Sequence, residues 1–328
     1  MRPLKVLIAT GGTGGHLFPS SQLAALLEGA TVIFAGHKLK TTPFFDRKTP
    51  YFEIASTSQK KKWPLLLKGI WQSLRLVARF KPDVVVGFGS FHSFPVLTAA
   101  AILRKKIILF EANCSLGQVN RFFVPFAEKI AFQFPIKMKK AVYVPLLPWI
   151  KKEQGGKKYH LDPNRTTILV FGGSQGASFI NQVFPEAAKL LSFPFQVIHL
   201  TGKTDLEIRY SVPCVVKPFE EEMESAYEAA DFAVCRCGAG TSAELIRYRL
   251  PAVVIPYPYA NDHQRKNGEY LQGGVRLLLQ PDASAAILAR EIGELRNNLD
   301  MHRKALGEIS FPKTVDFGSL VRTIGENR

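Results

Sequence analysis

The sequence lacks long hydrophobic runs and a cysteine framework, and each absence excludes a class of protein. No apolar run approaches the roughly 20 residues that a membrane-spanning helix needs. The four cysteines, at positions 114, 214, 235 and 237, match no disulfide framework, and Cys235 and Cys237 have the wrong spacing for a zinc site. A strand begins near residue 4, so we expect no signal peptide and a cytoplasmic protein with reduced thiols.

Two nucleotide-binding motifs and one metal-binding motif are also missing. The glycines at 11–15 are followed by His16 and Leu17, so they form neither a Walker A loop nor a clean dinucleotide fingerprint. No Asp-x-Asp pair occurs, so the metal–diphosphate clamp of one sugar-transfer architecture is absent. We therefore expect no cofactor and no metal, with a diphosphate held by backbone N–H groups and helix ends.

Acidic residues are scarce, and this imbalance points to a polyanionic partner. The 43 Lys and Arg against 27 Asp and Glu give a net charge of +16, which fits nucleic acid, an anionic membrane surface or a phosphorylated substrate. Basic residues at 60–74 and 121–140 lie among bulky apolar groups that suit lipid better. We expect an anionic membrane surface and no nucleic acid, although the helical spacing at 63–74 also fits a core-facing stripe.

The 328 residues are enough for two domains with full cores. Strand-like and helix-like runs alternate almost throughout, which is typical of parallel sheets covered by helices. In the first half, strands are predicted near 4–9, 31–35, 83–88, 107–110 and 129–133, and helices near 17–28, 64–79, 94–103 and 118–124. In the second half, strands are predicted near 166–171, 195–200, 214–217, 231–235, 252–256 and 275–279, and helices near 178–191, 221–229, 241–248, 263–272 and 284–298.

This alternation predicts two doubly wound, Rossmann-like α/β domains facing a cleft, where ligands bind at the carboxyl ends of the strands. The polar stretch 151–163 is predicted to be a linker, and the tail 313–328 a final helix.

Two glycine-rich turns occupy matched positions in the two halves. Residues 11–15 and residues 172–176 each follow an apolar strand and precede a helix. Such turns let backbone N–H groups converge on an anion. A lone histidine is more often structural than catalytic, but His16 adjoins four glycines, where a neutral imidazole could remove a proton from an attacking hydroxyl.

Two further polar motifs allow both a structural and a functional interpretation. Thr241-x-x-Glu244 predicts a capping box; alternatively, its helix N-terminus meets a diphosphate and Glu244 accepts from ribose hydroxyls. Asp262 could cap the next helix. Together with His263, Gln264 and Asn267, it also forms a set of donors and acceptors suited to sugar hydroxyls.

In combination, the motifs resemble those of the MurG-type UDP-N-acetylglucosamine:undecaprenyl-diphospho-muramoylpentapeptide N-acetylglucosaminyltransferases. The resemblance spans nearly the whole chain. It rests on four segments of the sequence, 11–19, 172–177, 235–244 and 262–267, and also on Asn181 and the pair Glu111-x-Asn113.

The resemblance implies a two-domain GT-B fold in which the C-terminal helix returns to the N-terminal domain. It implies inverting transfer of N-acetylglucosamine (GlcNAc) from UDP-GlcNAc to the muramoyl C4 hydroxyl of the undecaprenyl-diphosphate-linked acceptor lipid I. The product, lipid II, is used in peptidoglycan synthesis. Residues 1–152 with 313–328 would then form the acceptor and membrane-associating domain, peripheral on the cytoplasmic face of the membrane, and residues 153–312 would bind UDP-GlcNAc.

The resemblance also assigns candidate site residues. His16 is the candidate base, Glu244 would bind ribose, and Gln264 would bind the GlcNAc hydroxyls. The other candidate substrate-binding residues are Thr13, Gly14, Gly15, Asn113, Ser174, Gln175, Gly176, Arg236, Ala239, Gly240, Thr241 and His263. Among these, Ser174 and its glycine loop would bind the diphosphate, and Asn113 would position acceptor or donor.

The sequence departs from the family pattern at two places. The family's Gly-Gly-Tyr-x-Ser-Gly-Pro loop has Phe91 in place of tyrosine, with His92 beside it, and the family's Asn-Pro-x-Arg at the domain junction is Leu-Pro-Trp-Ile at 147–150. Three alternatives therefore stay open: another lipid glycosyltransferase, a UDP-GlcNAc epimerase of the same fold, or a non-catalytic nucleotide-sugar-binding module.

Overall fold

Two compact α/β units make up the chain in the computed structural model. The first unit comprises Met1–Leu146 and Phe311–Arg328, and the second comprises Leu147–Ser310. The structure describes residues 2–11, 14–42, 45–57, 63–134, 136–144, 158–173, 176–204, 206–259, 262–271, 273–309 and 313–327. The predicted boundary at 152/153 lies outside these ranges, and the assignment of acceptor and donor to the two units stays a prediction.

The first unit is built on a parallel sheet whose strand order is β3-β2-β1-β4-β5-β6-β7. Its strands are β1 Lys5–Ala9, β2 Thr31–Gly36, β3 Tyr51–Glu53, β4 Val84–Gly87, β5 Lys106–Glu111, β6 Lys129–Phe132 and β7 Ala141–Tyr143. Its first helices are α1 Gly14–Leu26, α2 Trp63–Phe80, α3 Phe94–Ile102 and α4 Gln118–Phe123. Along β1, Val6 and Ile8 pack into one core cluster while Leu7 and Ala9 pack into another. Both faces of the strand are therefore buried, which explains its unbroken apolar run.

The second unit repeats this plan with a parallel sheet in the order β10-β9-β8-β11-β12-β13. Its strands are β8 Thr166–Phe171, β9 Phe195–Leu200, β10 Cys214–Lys217, β11 Phe232–Cys235, β12 Ala252–Val254 and β13 Val275–Leu277. Its helices are α5 Ser178–Ala188, α6 Met223–Ala229, α7 Ala239–Tyr248, α8 His263–Tyr270, α9 Ala285–Asn297 and α10 Leu299–Glu308. The prediction of two doubly wound α/β domains is confirmed.

The C-terminal helix α11, Phe317–Glu326, packs on the first unit. Its Phe317 ring lies 5.6 Å from the ring of Phe110 and 6.2 Å from that of Phe88, and Val321 is fully buried in the same core. The Asp316 carboxylate caps the helix by accepting a hydrogen bond of 2.6 Å from the Ser319 N–H. The chain therefore returns to its N-terminal unit, as the resemblance implied.

Some elements differ from the predictions for physical reasons. The strands β3 and β7 were not predicted, since each has three residues, too few for a hydrophobic pattern. Helix α10 was not predicted either, and it begins directly after a break at Asn298. The predicted linker 151–163 is wrong in its second part, because Tyr159 packs into the core of the second unit; residues 151–157 lie outside the described ranges.

Candidate functional site

In the first unit, three loops emerge at the same edge of the sheet. Strands β1, β4 and β5 are neighbours and run parallel, with Ala9 paired to Gly87 and Gly87 paired to Leu109. The segments that follow these strands contain His16, the 88–95 loop and Asn113. Parallel strands end together, so residues separated by up to 100 positions in the sequence gather at one edge.

His16 lies in the first turn of α1, and a backbone carbonyl fixes its imidazole. The His16 Nδ1 atom is 2.7 Å from the Phe88 carbonyl oxygen. A carbonyl oxygen can only accept, so in the neutral ring we assign the proton to Nδ1 and the basic lone pair to Nε2. The Thr10 hydroxyl holds the backbone by donating to the His16 carbonyl at 3.2 Å. The contact thus fixes the ring and favours the neutral tautomer with its lone pair on Nε2.

The glycine-rich turn before His16 requires glycine at Gly11. Its φ is +141°, and a Cβ there would lie 2.8 Å from the His37 carbonyl oxygen and 3.2 Å from the His92 Cβ. No side chain fits, and the backbone can follow this close path only without one. Thr13 lies outside the described residues, while Gly14 and Gly15 open α1.

His92 lies beside this turn, in the loop that departs from the family pattern. Its ring centroid is 5.0 Å from that of His37. Burial, together with the neighbouring His37, His16 and Lys38, lowers the pKa of His92 to about 4. The His92 side chain is therefore neutral at pH 7, and its buried Nδ1 has no hydrogen-bond partner among the described residues.

The buried carboxylate of Glu111 organises the loop that carries Asn113. Its Oε1 accepts from the Asn113 backbone N–H at 3.1 Å and from the Asn113 amide at 3.0 Å. Its Oε2 accepts from the Gly117 N–H at 2.8 Å and from the Asn120 amide at 3.0 Å. Four donors satisfy one carboxylate that is only 4% exposed, so Asn113 is held in a single orientation.

The second unit also gathers its loops at one edge of the sheet. Phe171, Cys235 and Val254 are paired at the ends of the adjacent strands β8, β11 and β12. The turn after β8 requires glycine: Gly176 has φ +77°, and a Cβ there would lie 2.3 Å from the Thr201 carbonyl oxygen. The Gly176 N–H donates to the Gly173 carbonyl at 2.9 Å. Ser174 and Gln175 lie outside the described residues.

The turn after β11 leads into α7, whose start corrects the predicted capping box. Gly238 is the N-cap, with no side-chain capping bond, so Thr241 lies inside the helix rather than at its start. The Glu244 carboxylate instead accepts a hydrogen bond of 2.5 Å from the Tyr227 hydroxyl. Burial raises the pKa of Glu244, and the bond from Tyr227 partly opposes that rise.

The first turn of α7 is open around its glycines. A Cβ built at Gly238 or Gly240 would meet no atom within 4 Å. Ala239, Gly240 and Thr241 all lie in this turn. A helix N-terminus with such small residues lets an anionic group approach the backbone closely.

The side chains of Arg236 and Gln264 form hydrogen bonds with the loops around this turn. The buried Arg236 guanidinium donates to the carbonyl oxygens of Ile255 and Pro256 at 2.9 and 3.0 Å and to the Gln280 side chain at 2.7 Å. The Gln264 Oε1 accepts from the backbone N–H groups of Cys237 and Tyr257 at 3.2 and 3.0 Å. These contacts position the backbone, in addition to any role toward a substrate.

The next helix, α8, begins at His263, a predicted substrate-binding residue. Asp262 is the N-cap by position, but it has φ +59° and its side chain makes no capping bond. The prediction that the Asp262 side chain caps this helix is therefore wrong. Asn267, one turn further, donates to the Cys237 carbonyl at 3.1 Å. The helix that carries His263 and Gln264 is thereby tied to the loop before α7.

The outer face of α2 is apolar and exposed. Gly69, Ser73, Leu76 and Val77 form its buried side. On the opposite side, Trp63, Leu67 and Trp71 are 62%, 53% and 53% exposed. These three side chains therefore do not face the core. An exposed row at spacing i, i+4, i+8 forms an apolar face.

No metal site or membrane span emerges from the residues that the structure describes. Among them, no group of three or more His, Cys, Asp or Glu side chains is placed to hold a metal ion. Within the same ranges, no helix combines the length and apolarity needed to cross a bilayer.

Comparison with known proteins decides the family. Residues 6–132 match the glycosyltransferase family 28 N-terminal domain, and residues 167–311 match the family 28 C-terminal domain. A protein of Protochlamydia amoebophila named UDP-N-acetylglucosamine–N-acetylmuramyl-(pentapeptide) pyrophosphoryl-undecaprenol N-acetylglucosamine transferase is 37% identical, over 84% of this chain and 83% of that protein. A protein of the same name from Thermodesulfovibrio yellowstonii is 33% identical, over 94% and 95% of the two chains. The chain belongs to the MurG family of glycosyltransferases.

Solved structures agree with membership of the MurG family. The crystal structure of Acinetobacter baumannii MurG superposes with a TM-score of 0.80 at 26% identity, covering 99% of this chain and all of that one. The calicheamicin glycosyltransferase CalG4 shares the fold, with a TM-score of 0.69 at 13% identity, covering 99% of this chain and 96% of that one. The predicted GT-B fold is confirmed.

The structure adds residues that the MurG motifs did not identify as site residues. Tyr227 and Asn120 donate to carboxylates at the two sheet edges, and Gln280 accepts from Arg236. Their partners are 17, 9 and 44 positions away in the sequence. No local pattern marks such contacts, because only the folded sheet brings the residues together.

Proposed function

We propose that this chain transfers GlcNAc from UDP-GlcNAc to the muramoyl C4 hydroxyl of lipid I, giving lipid II in peptidoglycan synthesis. Membership of the MurG family supports this reaction. The first unit would bind the lipid-linked acceptor and the second unit the donor. The observation that carries the proposal is the His16 imidazole, which the Phe88 carbonyl orients at the carboxyl edge of the first sheet.

His16 is the proposed general base. Its Nδ1–H stays bonded to the Phe88 carbonyl, and Nε2 takes the proton from the C4 hydroxyl as that oxygen attacks the anomeric carbon of GlcNAc. The new glycosidic C–O bond forms while the bond from the anomeric carbon to the UDP oxygen breaks, with inversion at that carbon. Asn113, held by Glu111, would position the reacting sugars, with Thr13, Gly14 and Gly15 close to the acceptor.

The second unit is proposed to bind UDP-GlcNAc and to stabilise the departing UDP. The turn at Gly176, with Ser174 and Gln175, and the first turn of α7 would take up the diphosphate charge through backbone N–H groups and the helix dipole. Glu244 would accept from the ribose hydroxyls. Gln264, with His263, would face the GlcNAc hydroxyls.

We further propose peripheral binding to the cytoplasmic face of the membrane. The exposed Trp63, Leu67 and Trp71 would enter the lipid interface, where tryptophan is favoured. The net charge of +16 would attract anionic headgroups. The Arg75 guanidinium lies 3.6 Å from the centroid of the Trp71 ring, so a cation adjoins this apolar face and could meet an anionic headgroup.

An acceptor panel tests the reaction. We expect the purified protein, given UDP-GlcNAc, to place GlcNAc on lipid I and not on diacylglycerol. Transfer to diacylglycerol would identify another lipid glycosyltransferase. Conversion of UDP-GlcNAc to an epimer in the absence of acceptor would identify an epimerase. UDP binding without any sugar transfer would identify a non-catalytic module.

Vesicle binding tests the membrane proposal. We expect binding to anionic vesicles that weakens with salt, and weaker binding for the double variant Trp63→Ala/Trp71→Ala. A matched control is Leu190→Ala/Met301→Ala, which removes two exposed apolar side chains from the second unit and should bind as the native protein does. Equal binding to neutral and anionic vesicles would contradict the electrostatic part of the proposal.

A further inference from the structure

Tyr227 makes a contact with the proposed ribose-binding residue that no motif records. It lies on α6 and is 2% exposed. Its hydroxyl donates to the Glu244 Oε2 atom at 2.5 Å. The Glu244 Oε1 atom has no hydrogen-bond partner among the described residues. The carboxylate is thus held through one oxygen only.

Two aromatic contacts fix the Tyr227 ring and therefore the position of its hydroxyl. On one side, the Tyr248 ring stacks on it with centroids 5.1 Å apart and an interplanar angle of 19°. On the other side, Phe171 makes an edge contact at 5.8 Å and 81°. Phe171 is the last residue of β8 and directly precedes the glycine turn. Tyr227 therefore connects the strand that carries this turn with the carboxylate of Glu244.

Glu244 depends on such a donor because burial and the neighbouring Glu224 carboxylate both disfavour its charge. Burial raises its pKa, so its ionised form is disfavoured unless it is hydrogen-bonded. A charge-assisted bond from a tyrosine hydroxyl both favours the carboxylate and sets its rotamer. A carboxylate held through Oε2 presents Oε1 in a defined direction.

We propose that Tyr227 is a positioning residue that holds Glu244 so that Oε1 accepts hydrogen bonds from the ribose hydroxyls of UDP-GlcNAc. The proposal rests on the proposed ribose-binding role of Glu244. Tyr227 itself does not touch the nucleotide. It acts by keeping Glu244 ionised and in one orientation before the donor binds.

The variant Tyr227→Phe removes the hydroxyl and keeps the ring with both of its aromatic contacts. We expect the KM for UDP-GlcNAc to rise by roughly tenfold, about 1.4 kcal/mol, with kcat at saturating donor nearly unchanged. Without the Tyr227 bond the pKa of Glu244 rises further. The KM should then begin to increase at a higher pH than in the native enzyme as the pH is lowered.

Two nucleotides distinguish a loss of Glu244 positioning from a general loss of nucleotide binding. UDP and 2′,3′-dideoxy-UDP differ only in the ribose hydroxyls, and both can be measured as inhibitors. We expect Tyr227→Phe to weaken UDP and leave dideoxy-UDP unchanged. The matched control is Tyr248→Phe, which removes a buried hydroxyl that has no hydrogen-bond partner among the described residues and should leave both affinities unchanged.

The outcomes distinguish failure of this inference from failure of the ribose assignment. If Tyr227→Phe binds UDP as the native protein does, or loses both nucleotides equally, the positioning role is wrong. If Glu244→Ala leaves the KM for UDP-GlcNAc unchanged and native protein binds UDP and dideoxy-UDP alike, the ribose assignment itself is wrong, and the positioning role fails with it.

Discussion

Replacing Glu111 with Gln tests how far one buried carboxylate organises the loop around Asn113. Each Glu111 oxygen accepts from two donors. Glutamine has one oxygen, so its NH₂ group faces two donors that lose their acceptor. An unsatisfied buried donor costs about 1–3 kcal/mol. Because the loop relaxes in part, we expect Glu111→Gln to destabilise it by about 2–3 kcal/mol.

Amide hydrogen exchange is the suitable assay, because a protein of two units has no single two-state free energy of unfolding. A loss of about 2–3 kcal/mol corresponds to exchange at the Asn113 and Gly117 amides that is roughly 30- to 150-fold faster. We also expect a lower kcat/KM for the acceptor with unchanged UDP affinity, since Glu111 lies in the first unit.

The control is Glu53→Gln in the same unit. The Glu53 carboxylate also accepts two backbone N–H groups, from Lys38 and Lys40, but it is exposed, so water can replace the lost acceptor. We expect exchange at the Lys38 and Lys40 amides to change less than about threefold, close to the modest net value of a solvated hydrogen bond. Exchange at the Asn113 and Gly117 amides of Glu111→Gln that also stays within threefold of native would show that Glu111 does not organise this loop.

Three further predictions concern the second unit. Glu220 is buried, which opposes its ionisation, yet bonds from Lys158, Tyr159 and neighbouring donors lower its pKa from 4.5 to about 2. The lowered pKa stabilises the second unit by about 3 kcal/mol above pH 4.5, and this contribution is lost as the pH falls toward 2. Amide hydrogen exchange in the second unit of native and Glu220→Gln protein should therefore converge at low pH. Gly240→Ala should raise the KM for UDP-GlcNAc by obstructing the first turn of α7, while thermal stability stays equal or rises, as alanine favours the helix; an unchanged KM contradicts a diphosphate there. Gly176→Ala should lower both stability and donor affinity, because its Cβ would clash with the Thr201 carbonyl; native-like melting would contradict that clash.

The alternating pattern predicted the sheets well because buried parallel strands have a simple composition. Val84–Gly87 and Phe232–Cys235 are wholly buried, and their apolar runs stand out from the polar turns around them. The three-residue strand Tyr51–Glu53 lies at a sheet edge and is half exposed, so it carries no such signal. Edge strands this short are defined by their hydrogen bonds to a neighbour.

The α2 helix shows where periodicity alone is ambiguous. Apolar residues at helical spacing fit a core face and a membrane face equally well. The fold decides between them, since the buried side of the helix carries Gly69 and Ser73, together with Leu76 and Val77, and not the two tryptophans. A Cβ at Gly69 would lie 1.8 Å from the Ala55 carbonyl oxygen, so this side of the helix must be the inner one.

The candidate site was predictable as a set of loops, but its hydrogen bonds were not. Glycine turns and the position of His16 are local features of the sequence. The Phe88 carbonyl that orients His16 is 72 residues away, and Thr241 with Glu244 matched a capping pattern that the helix start at Ala239 does not use. Which donor a carboxylate meets depends on tertiary packing, which overrides the local pattern.

The most direct test of the central claim is the rate of lipid II formation from UDP-GlcNAc and lipid I by native and His16→Ala protein, measured alongside UDP affinity. The proposed base predicts that native protein forms lipid II. It also predicts that the variant loses turnover by about 10²- to 10⁴-fold while binding UDP normally. Turnover within about threefold of native in His16→Ala would contradict the assignment, and absence of lipid II with native protein would contradict the proposed reaction.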